Sequence, residues 1–239
     1  PSAANTGLMA DQHSLQKTTN AGQVAYKIIK EERKHPKCEV RLVKDDIVKA
    51  FNLIALILAH IGLFATGMAG YVCVNLTTIF GSEVSPGDFE PSADSLIKLL
   101  MFLASGDTST TGELHPEVAR FVDDLLSIIA MFGDRAPDHL ARLRDLIVRI
   151  YGPKGHNLVK QGVEGQPQSY KHTFGSVTDT VDREMGAQWS KLIKPSNLLL
   201  DFVNDPQGRL NMGQVNEVHG IAQHSMTWCP GMGRIILAR

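Results

Sequence analysis

The stretch PEVARFVDDLLSIIAMFG, Pro116 to Gly133, decides the fold class to which the chain is assigned. Pro116 suits the first turn of a helix, where its missing N–H costs nothing. Val118, Phe121, Val122, Leu125, Ile128, Ile129 and Phe132 then follow at spacings that build a wide apolar helix face, which Gly133 closes. On this reading Asp123 and Asp124 project to different sides of a helix, as do Asp45 and Asp46, so neither pair is set for joint acid–base work.

Outward from this segment, apolar spacing predicts helix almost throughout, and no segment sustains the alternation of a strand. Val24 to Lys34 reads as a basic amphipathic helix ending near His35-Pro36. Pro91-Ser92 precedes a helix to about Ala104, and Pro137 opens another that carries Leu140, Leu143, Ile147 and Ile150 inward before Gly152-Pro153 stops it. Further helices are predicted near Thr180 to Ile193, Ser196 to Val203 and Asn211 to His224. The expected fold class is therefore all-α. Two helical domains, 1–151 and 152–239, would be joined by a short Gly/Pro hinge, with a polar arm at the N-terminus.

Phe51 to Ser82 contains no Asp, Glu, Lys or Arg. Leu53 to Tyr71 approaches the roughly 20 apolar residues that span a bilayer, but Asn52, His60 and the glycines favour two short buried core helices.

With 239 residues and 43% hydrophobic content, the chain can bury real cores. A net charge of −1 excludes a coat that grips nucleic acid through a general positive field. The charge is blocked, however. Lys27 to Lys49 holds eight bases against five acids, Glu83 to Asp134 ten acids against Lys98 and Arg120, and Arg135 to Lys171 seven bases against three acids. Cys38, Cys73 and Cys229 form no CxxC pair, and His219, His224 and Cys229 lack metal-site spacing. No nucleophile elbow, Walker loop, HExxH helix or dinucleotide fingerprint is present, so no cofactor, metal or catalytic residue is expected and the chain reads as a non-enzyme.

The stretch IVRIYGPKGHNLVKQGVEGQPQSYKHTF, Ile147 to Phe174, resembles the junction between the two domains of a retroviral, lentivirus-like Gag capsid protein. Ile147, Val148, Arg149, Tyr151 and Pro153 stand as in the helix end and linker of that family. Gln161 and Gly162 match the start of its major homology region, and Glu164, Tyr170 and Phe174 follow. Glu164 arrives one residue early, and the family's arginine has no counterpart near His172-Thr173. Ala25 to Glu32, Trp189, Val203 to Pro206, Cys229 and the leading Pro1 keep the family order. Pro1 also suits release from a precursor, or a chain whose native start is Met9.

The resemblance implies a structural protein of the virion and host cytoplasm that assembles into a homo-oligomeric lattice around the viral genome. Gln161, Gly162, Glu164, Tyr170, Phe174 and Trp189 would then serve assembly. Lys27, Lys30, Arg33 and Lys34 would bind a small polyanion. One alternative is an RNA-binding nucleocapsid protein that grips viral RNA through Arg142, Arg144, Arg149, Lys154 and Lys160. Others are a membrane-associated helical protein anchored through residues 53–71 and an all-helical enzyme with a site at the domain cleft. No DNA partner is expected, and membrane contact is disfavoured.

Overall fold

A computed structural model describes residues 19–56, 58–62, 65–79, 85–105, 116–174, 176–204 and 211–226. Pro1, Met9, most of the polar arm, Pro206, Cys229 and the Trp189 side chain, on which expectations were placed, lie outside the described residues.

The architecture is mixed α/β, with three antiparallel sheets, which overturns the all-α expectation. Helix α1 (Ala21–Lys34) leads into strand β1 (Val40–Asp46) and a 3-10 helix at Ala50–Leu53. There follow the short α2 (Leu58–Ile61), a hairpin of β2 (Ala65–Met68) and β3 (Tyr71–Val74), and the long α3 (Ser85–Ser105). Strands β4 (Glu117–Phe121) and β5 (Asp124–Ala130) precede α4 (Arg135–Tyr151) and α5 (Leu158–Glu164). Three short strands, β6 (Tyr170–Thr173), β7 (Ser176–Asp179) and β8 (Glu184–Ala187), complete the sheets before α6 (Trp189–Asn204) and α7 (Met212–Met226).

The segment predicted as a helix from Pro116 is the β4–β5 hairpin. Its strands pair from Glu117 with Ile128 to Phe121 with Asp124, leaving Val122-Asp123 as a two-residue turn. β5 is the central strand of the order β1-β5-β4 and is covered on both faces. Leu126, Ile128 and Ala130 meet Val24 and Ile28 of α1, whereas Leu125 joins Phe89 and Leu96 of α3 and Leu143 of α4, and Ile129 joins Leu140. A strand buried on both faces reads as a continuous apolar run, so its alternation is invisible in composition. Each of these large side chains contributes about 1.5–3 kcal/mol through burial, and together they hold the sheet between α1 and the α3/α4 layer.

The uncharged run is not a pair of core helices. Its β2–β3 hairpin stands exposed, with Tyr71 and Val72 largely in solvent. Among the described residues no helix is long and apolar enough to cross a membrane, which corrects the anchor proposed for residues 53–71. The helix expected at Thr180–Ile193 is instead the β7–β8 hairpin followed by the start of α6. α4 does stop at Tyr151, where Gly152 takes φ +84°, a conformation that favours glycine. The chain then returns to β1: His156 bridges Ile47, and Gln168 bridges Leu42 with hydrogen bonds in both directions.

Candidate functional site

The open end of the central sheet gathers acidic side chains from two distant segments. Asp46 ends β1 and is the register partner of Asp124, the first residue of β5, with Asp123 in the adjoining turn. The Ile47 N–H donates to the Asp123 carbonyl at 3.2 Å and fixes the turn against the end of β1. Val122, the other turn residue, has φ +58°. A β-branched side chain there costs on the order of 1–3 kcal/mol, strain of the kind found at functional sites.

Basic and polar groups close over the carboxylates from α5. The Lys160 Nζ donates to Asp46 Oδ1 at 2.8 Å and lies 3.9 Å from Asp124 Oδ1. The Asn157 Nδ2 donates to Asp46 Oδ2 at 2.8 Å, and its backbone N–H donates to the Asp46 carbonyl at 3.2 Å. Asp45 points the other way into the protein, where its Oδ1 accepts from His156 Nε2 at 2.8 Å and Arg144 Nε at 3.3 Å.

The electrostatics are those of crowded like charges. Burial pushes the Asp124 carboxyl up to about 6, and the neighbouring Asp46 adds to the rise against the opposing Lys44 and Lys160 charges. Asp123 is raised as well, by burial and by Asp46. Lys160 is held above its ordinary value: burial pulls it down, but the hydrogen bond to Asp46 and the charges of Asp46, Asp124 and Asp123 outweigh that. Asp124 Oδ1 and Asp45 Oδ2 are buried without a hydrogen-bond partner. Among the described residues no three His, Cys, Asp or Glu side chains are already disposed about one metal position.

The residues singled out in the sequence are dispersed. Lys27, Lys30 and Lys34 converge on Glu117 at 3.2, 2.6 and 2.8 Å, at the end of β4 away from the turn. Arg33 lines an open cavity between α1 and the β7–β8 hairpin. Arg149 pairs with Asp145 on the exposed face of α4, Arg142 is half-buried on the same helix, and Lys154 is exposed in the turn after it. Only Lys160 reaches the acidic cluster; Arg144 donates to Asp45, which points away from it. Of the residues assigned to assembly, Gln161 and Gly162 lie on α5, Glu164 pairs with Lys44 at 2.9 Å, Tyr170 is exposed on β6, and Phe174 stacks on Phe121 at 5.7 Å.

Asp46, Asp123 and Asp124 were set aside in the sequence as neighbours pointing apart on helices; they stand instead on the paired strands β1 and β5 and in the turn before β5. A signal existed, since Val122-Asp123 separates two short apolar runs, but the pair lacks the Asn-Gly or Asp-Gly chemistry that announces a tight hairpin.

No family model matches the chain, and no curated protein matches it in sequence. Among solved structures it is similar to a foamy viral protease-reverse transcriptase in complex with an RNA/DNA hybrid, at 14% identity and TM-score 0.55, over 77% of this chain and 21% of that one. Two further foamy viral protease-reverse transcriptase structures, both in complex with double-stranded DNA, match with TM-score 0.51 over 77% of this chain. Their identities are 14% and 15%, with 27% and 32% of those chains covered. The chain thus spans about a fifth to a third of the length of these structures. At such identity the likeness concerns the fold alone, shared with part of these protease-reverse transcriptase chains. It overturns the capsid resemblance built on Gln161 and Gly162, and with it the capsid, nucleocapsid and membrane-anchor readings. The lattice partner and the exclusion of DNA lose their basis too, because they rested on the capsid reading.

Proposed function

We propose that this chain is the polymerase-type region of a reverse-transcriptase-like protein, binding a primer–template duplex and using Asp46, Asp123 and Asp124 to hold divalent cations of the magnesium class for nucleotidyl transfer. The observation that carries this reading is the meeting of Asp46 with Asp124 at a strained two-residue turn, on a fold shared with reverse-transcriptase structures. The nucleic acids in those structures, an RNA/DNA hybrid and double-stranded DNA, support a duplex as the ligand class.

The donor set suits such a cation. All three side chains offer carboxylate oxygens, the hard donors that magnesium and manganese take. Asp124 Oδ1 is buried without a hydrogen bond, and the Lys160 ammonium already lies against Asp46 and Asp124, so the place attracts positive charge. When bound, divalent cations stabilise the attacking and leaving oxygens of a phosphoryl displacement.

The chain's own residues set the geometry. Asn157 fixes the orientation of the Asp46 carboxylate, and the Ile47 to Asp123 backbone bond holds the turn at the end of β1. The α3/α4 layer packs beneath through Leu125.

The test is fluorescence anisotropy and primer extension with the full chain, using a labelled RNA/DNA hybrid and a DNA duplex in magnesium or manganese. Salt-sensitive duplex binding is expected, with cation-dependent extension that Asp123→Asn lowers by a factor on the order of 100 or more while binding persists. Absence of duplex binding at low salt overturns the reading.

A further inference from the structure

We infer that the first turn of α5 is a latch whose Lys160 ammonium holds the place of a divalent cation over Asp46 and Asp124 and withdraws when that cation binds. This rests on the carboxylate cluster being a cation site, as proposed above.

Three observations carry it. First, the contacts of α5 with the sheet fall on the same oxygens a cation would need: Lys160 Nζ takes Asp46 Oδ1, and Asn157 Nδ2 takes Asp46 Oδ2, each at 2.8 Å. Second, Asn157 couples the grip to the helix itself. Its Oδ1 accepts the Lys160 backbone N–H at 3.2 Å, capping α5 while Nδ2 holds Asp46, so the first turn and the carboxylate are tied as one unit. Third, α5 has no hydrophobic anchor. None of its residues is buried, and Leu158, Val159 and Val163 are 69%, 82% and 75% exposed. Beyond the first turn it is held by the Lys44–Glu164 ion pair and by Arg144 donating to the Gly165 carbonyl. Lifting Lys160 therefore exposes no apolar core.

The competition follows from charge. An ammonium and a divalent cation sharing Asp46 Oδ1 would stand within a few ångströms of each other, where like charges repel strongly in a partly buried site. One of them leaves. With the Lys160 side chain 49% exposed, its ammonium can swing into solvent at small cost. In the absence of the cation the same ammonium offsets the repulsion between Asp46 and Asp124 and keeps the turn assembled.

The test is manganese titration of the full chain by calorimetry, with the bound ion followed by its electron paramagnetic resonance. Lys160→Met, which keeps the aliphatic stem, is expected to bind manganese roughly 2- to 5-fold more tightly than wild type, the factor for losing one partly solvated competing ion pair. Lys160→Gln, which can still hydrogen-bond Asp46 without charge, should move in the same direction, and Lys160→Arg should return affinity to the wild-type value. Asp124→Asn should weaken binding and so locate the ion. Thermal melts of each variant confirm folding. Equal or weaker manganese binding by both Lys160→Met and Lys160→Gln overturns the latch while leaving the cation site standing. Failure of wild type and every variant to bind manganese overturns the site and the latch together.

Discussion

Asp46 and Asp124 are the terminal register pair of the β1–β5 ladder, so two carboxylates remote in sequence stand side by side at the open end of the central sheet. Strand pairing, not local sequence, sets this contact. The rest of the molecule compensates with Lys160, Lys44 and Asn157.

Removing one of these like charges should stabilise the cation-free protein. Asp124→Asn keeps the shape of the side chain and abolishes its repulsion with Asp46, so in chelator at neutral pH its melting temperature should exceed that of wild type by about 2–4 °C, the shift that about 1 kcal/mol produces in a chain of this size. Differential scanning calorimetry checks this; a lower melting temperature would show that the carboxylate is needed for folding.

Glu117 should make stability fall in acid. Burial opposes its ionisation, but hydrogen bonds from Lys30 and Lys34 and the charge of Lys27 outweigh burial and hold its carboxyl at about 2, below the ordinary 4.5. A folded value below the unfolded one means that the contribution is fully present above about pH 4.5 and is lost as pH falls through about 2. Because Lys30 is 44% exposed, solvent screening limits the effect to on the order of 1–2 kcal/mol. In Glu117→Gln, urea midpoints measured from pH 7 to pH 2 should start lower than wild type and converge with it in acid.

Arg120 ties β4 to α3. It donates from Nη1 to Glu90 Oε2 and from Nη2 to Asp94 Oδ1, both at 2.9 Å, and is itself buried with Glu90. Arg120→Ala leaves Glu90 charged and unpaired, which costs about 3–5 kcal/mol. The double variant Arg120→Met with Glu90→Leu should recover most of that loss in urea unfolding.

His156 is the nearer of two partners of the buried Asp45 carboxylate, at 2.8 Å against 3.3 Å for Arg144. Asp45 is 1% exposed at its side chain and its Oδ2 is already without a hydrogen bond, so His156→Ala should cost about 1–3 kcal/mol. Hydrogen exchange should also quicken at Val48, whose N–H donates to the Gly155 carbonyl beside it.

The helices were legible where one face meets solvent. Val24 to Lys34 lies within α1, and the helices expected around Pro91 and Pro137 are α3 and α4, because Leu140, Leu143 and Ile147 recur at helical spacing and are buried; Ile150, expected inward with them, is exposed, and α3 begins at Ser85 with Pro91 inside it. The strands were not legible for a physical reason visible in β5: every residue from Leu125 to Ala130 is buried, so a period of two leaves no polar trace. The hairpin turn carried no glycine or asparagine, only Val122 at positive φ, a conformation that the surrounding sheet imposes.

The sequence by itself determined the amphipathic helices, the end of α4 at Gly152 and the chemistry available at each position, including two Asp-Asp pairs and a lysine-rich first helix. Only the tertiary structure decided that Asp46, Asp123 and Asp124 form one cluster, that Lys160 covers it, and that Lys27, Lys30 and Lys34 are taken up by Glu117. Helix periodicity is a local property of a few consecutive turns, whereas a strand's partner and register are settled by which apolar faces can be buried together across the whole chain.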